Sequence, residues 1–536
     1  MKKLIPLIAV VLCIISCNTS MDDFRKIKIA ELRDKIAGGW AGKMIGVTYG
    51  APTEFRAQGH IYEDPINWKP EDIRGSLWQD DIYVQLTFLM SMDKYGIDAP
   101  AKKYQEMFAK AGYPLWHANM QARKNWYDSI FAPLSGIPEY NIHADDIDFQ
   151  IEADYIGFMS PGMPNTALDI ADKIGHIMNY GDGVYGGIFV AALYAEAFFE
   201  SDISLIIDKA LQSLPGESEY ARIIRDVIAL HNEYPDDWKT AWQELGEKWD
   251  NTDICGAGTQ FNIDAKLNGA YIVMGLLYGE GDLMKTLEIS TRCGQDSDCN
   301  PSNAMAVLGV IKGFSGLPAD MQDGVKKMGD SIFINTTYSF NSAVSSTYKY
   351  ALELIEKDGG KVNGKQISIR YQVPSAPVLE VSFPNTVFDR SISVFDEGKW
   401  IFKGSWKPRE VNENGNAKKQ AMFSETKGDE AELKFSGTGI SLTGNWFRDG
   451  GIADVYVDGK LHRSIDTYYN FAGQQHTETI WHVMNLQPGD HIVKIVVKGE
   501  KRPESEGTRV AITSATIFKT EAKKSDNYKF SFEEEL

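Results

Sequence analysis

Gly294-Gln295-Asp296-Ser297-Asp298-Cys299-Asn300-Pro301-Ser302-Asn303 runs straight into an apolar segment, residues 304–314. Pro301 suits the first position of a helix, where its missing N–H costs nothing, and Asn300 then falls at the N-cap. An acid near that end is stabilised by the helix dipole. Two acids on alternate residues, with a thiol and an amide behind them, can instead aim both carboxylates at one point. Hard cations such as magnesium are held that way, with water completing the shell. On this stretch alone a capped helix and a metal site weigh equally, and a second acidic cluster would decide between them.

Such a cluster lies upstream. In Ser76-Leu77-Trp78-Gln79-Asp80-Asp81-Ile82-Tyr83-Val84-Gln85-Leu86, adjacent aspartates open a helix whose apolar face is Ile82, Leu86, Leu89 and Met90. Further upstream, residues 26–49 read as a helix, or two in close succession, with Leu32, Ile36, Trp40, Met44 and Val47 at helical spacing. Gly38, Gly42, Gly46 and Gly50 recur every fourth residue in it. Glycine costs about 1 kcal/mol against alanine inside a helix, so the stripe implies close approach of another backbone or of a ligand. Pro52 stops this helix, and Glu54 sits just beyond its C-terminal end, where the dipole is unfavourable to a carboxylate. Two acidic helix starts and this glutamate together favour a shared divalent-metal site.

The chain has 536 residues, too many for one ordinary core; at about 150 residues per domain it divides into two to four units. A formal net charge of −19 argues against a nucleic-acid partner. Lys2 and Lys3 precede an apolar run, residues 4–15, too short to span a bilayer. That run ends at Ile14-Ile15-Ser16-Cys17, which resembles the lipobox of bacterial lipoproteins and implies lipidation of Cys17; a plain signal peptide is the alternative. The expectation is an exported cell-envelope lipoprotein of the outer membrane, on its periplasmic or outward face, touching the membrane only through the lipid. After Cys17 only Cys255, Cys293 and Cys299 remain, too few for a disulfide framework.

The pieces Gly46 to Phe55 with its Gly-Ala-Pro-x-Glu end, Gln79-Asp80-Asp81, and Gly294-Gln295-Asp296-Ser297-Asp298-Cys299 followed by a small-residue helix ending Gly313-Phe314-Ser315-Gly316-Leu317-Pro318 occur in a familiar order. Over residues 26–355 the chain resembles the ADP-ribosylglycohydrolase family. The resemblance implies an all-α bundle holding two magnesium ions between acidic turns and cleaving a glycosidic bond to the anomeric carbon of a ribose. Position by position, it implies metal ligands at Asp80, Asp81, Asp296 and Asp298 and a catalytic glutamate at Glu54, with Asp81 and Asp296 also in the catalytic group. Gln79 stands where a threonine or serine ligand is usual, and can offer an amide oxygen. Cys299 stands where a threonine ligand is usual, although magnesium does not favour a thiol. Val47 replaces an acid common in the family's first helix. The cofactor expected is one or two magnesium ions, with manganese, calcium or zinc as alternatives.

A second polar, glycine-rich turn, His176 to Gly187, leads into a small-residue helix over 188–199. Its place resembles the family's substrate-facing turn, but Asn179 or Tyr180 occupies the position of the usual histidine. Asn179, Tyr180 and Asp182 are the expected sugar contacts, with Trp116 as a stacking platform; Trp116, His117, Trp126 and Tyr127 also suit a core. From about residue 358 helical spacing gives way to alternation. Strands are expected over 431–435, 440–443, 453–460, 491–497 and 510–518, with Asp458-Gly459 as a hairpin turn. The run Val455-Tyr456-Val457-Asp458-Gly459-Lys460, then Leu486-Gln487-Pro488-Gly489-Asp490-His491, resembles galactose-binding-like jelly rolls of carbohydrate-active enzymes. Trp446, Tyr468, Tyr469 and Trp481 read as a sugar-stacking face or as core.

The expected order is therefore a signal peptide and lipobox (1–17), a tether (18–25), a helical catalytic domain (26–357), a linker (358–384), an all-β jelly-roll sandwich (385–520) and a charged tail (521–536). The favoured function is a metal-dependent glycoside hydrolase acting on an extracytoplasmic glycan or glycoside, with Glu54 as general acid or base. Hydrolysis of ADP-ribosyl conjugates is the alternative chemistry. A glycan-binding lipoprotein without catalysis is the alternative of another class.

Overall fold

The structure, a computed structural model, describes residues 24–250, 253–413 and 416–530. The leader and Cys17 lie outside the described residues.

An N-terminal helical domain is followed by an antiparallel β-sandwich. The first helix, Ile29–Gly50, is buried from Gly38 onward and lies at the centre of the bundle. Its glycine stripe meets the helix Cys299–Lys312 backbone to backbone. A Cβ would fall 2.1 Å from the Gly309 carbonyl at Gly38, 2.4 Å from that of Met305 at Gly42, and 2.3 Å from that of Pro301 at Gly46. At Gly50 it would meet the Ser297 carbonyl at 2.1 Å. The stripe thus serves helix packing, and it carries the end of one helix alongside the acidic turn that opens the other.

Several boundaries differ from the sequence reading. The expected helix over 26–49 starts later, because Phe24–Lys28 forms a strand antiparallel to Gln366–Arg370, which in turn pairs with Lys361–Asn363. The supposed tether and linker therefore contribute strands to one small sheet. The rest of the linker lies against the bundle: the Tyr185 hydroxyl donates to the Val378 carbonyl (3.1 Å) and the His176 ring meets Glu380 at 3.0 Å. The tail is also anchored, through Arg222–Asp526 at 2.9 Å and Lys523–Glu219 at 3.0 Å.

One sheet of the sandwich runs in the order Trp400–Lys403, Glu430–Gly437, Gly489–Glu500, Ile452–Val457, Lys460–Asp466. The other runs Lys407–Glu413, Asn416–Ser424, Val510–Thr520, Gly439–Trp446, His476–Val483, with Thr386–Ser393 also paired to Val510–Thr520. Asp458 and Gly459 both take positive φ, 50° and 78°, as a two-residue hairpin matched to strand twist requires. Trp446, Tyr468, Tyr469 and Trp481 are all buried, so they are core and not an open sugar platform. The sandwich docks on the bundle near residue 115. There the Gln474 side-chain amide both accepts from the Leu115 N–H (2.8 Å) and donates to the Leu115 carbonyl (2.9 Å), and Tyr127 stacks on Phe471 at 3.8 Å.

Candidate metal centre

The acidic turn is fixed from both sides. Gly294 (φ 83°) and Gln295 (φ 55°) are left-handed, and the Gln295 N–H donates to the Ala57 carbonyl at 2.8 Å. A Cβ on Gly294 would stand 2.3 Å from that same carbonyl, so only glycine fits this approach. The Thr53 and Ser297 hydroxyls share a hydrogen bond of 2.7 Å. Glu54 is thereby held over the turn. The helix begins at Cys299, earlier than the expected N-cap at Asn300, because the N–H groups of Asn300 and Ser302 donate to the carbonyls of Asp296 (3.1 Å) and Asp298 (3.2 Å). Asp298, at the N-cap, makes no capping hydrogen bond with its side chain. Asn300 donates instead to Asn268 Oδ1 at 3.0 Å. Helix capping does not account for the acids.

Their side chains converge with those of the second cluster. Asp81, Asp298 and Cys299 each place one ligand-type atom within 4.8 Å of the others. The Cys299 thiol donates to Asp81 Oδ2 at 3.1 Å. Asp81 is fully buried in the first turn of the helix Asp80–Tyr95, Asp80 is half-buried beside it, and Gln79, also half-buried, precedes both. Burial and the charges of Asp296, Asp80 and Asp81 push Glu54 up to about 8. Burial, then Asp81 and Asp296, push Asp80 to about 7, and Asp296 is raised to about 6, mainly by burial. Asp298 is pushed well up by burial and by Glu54, Asp296 and Asp81. These shifts share one physical origin, which is carboxylates gathered in a poorly solvated place with too little positive charge. A hard divalent cation supplies that charge, and the aspartate oxygens fit it. Cys299 does not fit magnesium so well: burial and four neighbouring aspartates hold it as a thiol, which suits a hydrogen-bond donor to Asp81.

Three further residues of the centre escape sequence reading. Lys43, fully buried on the first helix, meets Asp81 Oδ1 at 3.0 Å and Asp154 Oδ2 at 2.9 Å and donates to the Ile151 carbonyl at 2.8 Å. Burial lowers the pKa of such an ammonium, but Asp154 and Asp81 more than offset this and hold it charged. Asp154 also accepts from Tyr194 (2.7 Å) and Asn303 (3.1 Å), which ties the centre into the core. Glu152, buried, accepts from the Asn119 amide and is raised by burial and by Asp148, Asp80 and Asp81. The one available signal was a lysine in an otherwise apolar helix face.

The expected sugar contacts have partners of their own. The Asn179 side chain is wholly occupied: it donates to the Ala144 carbonyl (3.0 Å) and the Asp146 carbonyl (2.8 Å) and accepts from the Phe149 N–H (3.1 Å). Tyr180 packs with Ile142, Ile254 and Phe383, and Asp182 accepts from the Tyr220 N–H at 3.1 Å. This turn is folded under the linker, and its helix starts at Asp182. His176 is likewise bound to the linker's Glu380. Trp116 is 40% exposed, as are Phe55 at 47% and Trp78 at 54%; the last two are chain neighbours of Glu54 and Gln79.

A helical bundle that gathers acids from two helix starts is a framework able to hold a divalent cation. The chain belongs to the ADP-ribosylglycohydrolase family, whose sequence profile matches residues 28–348. Among solved structures the chain is similar to one described as an ADP-ribosylglycohydrolase-related protein complex, at 13% identity over 60% of this chain and 99% of that one, with a TM-score of 0.43. The sandwich is similar to the CBM36-1 domain of a multidomain xylanase from the hindgut metagenome of Trinervitermes trinervoides, at 14% identity, covering 25% of this chain and 98% of that one, with a TM-score of 0.18. It is also similar to a CBM36 carbohydrate-binding module solved with calcium and xylotriose, at 13% identity, 24% and 99% coverage, and a TM-score of 0.17. No curated protein matches the chain.

Proposed function

We propose that the chain is a divalent-metal-dependent glycosidase acting on an extracytoplasmic glycan or glycoside. The observation that carries the reading is the convergence of Asp81, Asp298 and Cys299, with Glu54, Asp80 and Asp296 close enough that mutual repulsion and burial raise the proton affinities of Glu54, Asp80, Asp296 and Asp298, a repulsion that added positive charge relieves. Asp80, Asp81, Asp296 and Asp298 would hold one or two divalent ions, with Gln79 offering an amide oxygen at the rim. Such an ion supplies Lewis acidity and orients vicinal hydroxyls. Lys43 balances Asp81 from behind and leaves the outer carboxylates for the cation and substrate. Glu54 stands beside the carboxylates that would hold the ion, where it can act as general acid or base toward the glycosidic oxygen or an attacking water. Phe55, Trp78 and Trp116 are apolar surfaces on which a sugar ring can stack.

The substrate class rests on the signal peptide and lipobox read from residues 1–17, which would tether the protein through Cys17 to the cell envelope. Family membership supports a second reading, an ADP-ribosyl conjugate as substrate. A panel of plant and host glycans assayed beside an ADP-ribosylated peptide, with and without chelator, separates the two. Release of sugar that stops with chelator supports the glycosidase. Release of ADP-ribose alone supports the second reading, and no turnover on any substrate with metal bound favours a binding protein.

A further inference from the structure

A second group of side chains, outside the acidic centre, has the chemistry of a different metal. His117, His143, Asp146 and Cys255 each offer one ligand-type atom within 4.8 Å of the others. The Nδ1 atoms of both imidazoles face the same carboxylate oxygen, Asp146 Oδ2, at 2.9 Å from His143 and 3.6 Å from His117. The four come from three separate places in the chain: the start of the helix His117–Tyr127, the 143–146 turn and the loop after residue 253. The far nitrogen of His143, Nε2, points at Glu478 Oε2 across the domain interface, at 3.7 Å. Glu478 belongs to the sandwich strand His476–Val483.

We infer that His117, His143, Asp146 and Cys255 form a four-coordinate site for a borderline-soft divalent metal of the zinc type, with Glu478 of the sandwich as the outer partner of His143. Two imidazoles, one carboxylate and one thiolate are a nitrogen, oxygen and sulfur set that suits zinc and not magnesium. A second, independent feature is the carboxylate behind the ring. Metal-bound histidines regularly give their other N–H to a carboxylate, and here that carboxylate comes from the other domain. The metal would tie the sandwich to the bundle beside Trp116, where the Gln474 clasp on Leu115 already joins them.

Cobalt(II) serves as a spectroscopic stand-in. The purified full chain, freed of metal with chelator, is titrated with cobalt(II) while visible and near-ultraviolet absorption are followed. The site predicts d–d bands of tetrahedral intensity and a thiolate-to-cobalt charge-transfer band, both retained in Asp298→Asn. Cys255→Ser should lose the charge-transfer band, and Glu478→Gln should keep it with affinity weakened about 10-fold. Absence of the band from the wild-type chain, its survival in Cys255→Ser, or its loss in Asp298→Asn would overturn the site. Unaltered affinity in Glu478→Gln would overturn the interdomain role, and this variant still decides that point should Cys255→Ser not fold.

Discussion

Replacing Gly46 by alanine tests the joint on which the acidic centre is built. In an unhindered helix the change stabilises by about 1 kcal/mol, because alanine is the better helix former. Here the added Cβ would lie 2.3 Å from the Pro301 carbonyl oxygen and 2.5 Å from the Ser302 Cα, about 1 Å inside ordinary contact. Both obstacles are backbone, so no side-chain rotation relieves them. Overpacking of this kind costs about 1–3 kcal/mol, and rigid surroundings put the site at the upper end. The expected net loss is about 2 kcal/mol. The helix Cys299–Lys312 can escape only by moving away, which carries Asp296 and Asp298 with it; a misplacement near 1 Å costs on the order of 100-fold in rate. Urea denaturation and a magnesium or manganese thermal-shift series measure both effects. Gly246→Ala, in the helix Trp238–Trp249 with nothing within 4 Å of its Cβ position, is the matched control and should be neutral or stabilising. A Gly46→Ala protein as stable as wild type, with an unchanged metal response, would refute the packing account.

Other consequences follow from charge. Asp298→Asn should abolish the rise in thermal midpoint on adding metal, since a neutral amide oxygen replaces an anionic ligand at the cation. For Glu54, Asp80 and Asp296 the folded pKa lies above the unfolded one, so the folded state holds protons that the unfolded state has released. The stability of the metal-free protein should therefore fall as pH rises from about 4.5 to about 8, and the metal-induced shift should grow over the same range; thermal scans with and without metal read both. Lys43→Met leaves Asp81 and Asp154 buried without their shared cation and should cost about 3–5 kcal/mol in urea denaturation. Activity loss with unchanged stability would contradict that role.

The acidic turns were legible in the sequence because each is local: paired aspartates at a helix start need no long-range information. The glycine stripe announced a close backbone approach, and the structure supplies the partner. The all-α and all-β division followed from periodicity, and Asp458-Gly459 marked its hairpin. What was not legible depends on distant pairing. Nothing near Phe24–Lys28 points to Gln366–Arg370, and Lys43 acquires meaning only when Asp81 and Asp154 arrive from other helices. The His176 to Gly187 turn has the composition of a binding loop, yet Asn179 spends its amide on the 143–146 turn, a use no local pattern reveals. The cluster around Asp146 was missed for the same reason, since its members stand far apart along the chain.

The central claim is that two helix starts more than 200 residues apart form one divalent-metal centre, as the contact between Cys299 and Asp81 indicates. Calorimetric titration of the metal-free protein with manganese, in wild type, Asp81→Asn and Asp298→Asn, tests it most directly. Saturable binding in wild type that is lost in both variants is the result expected; binding that persists undiminished in either variant would contradict a shared centre.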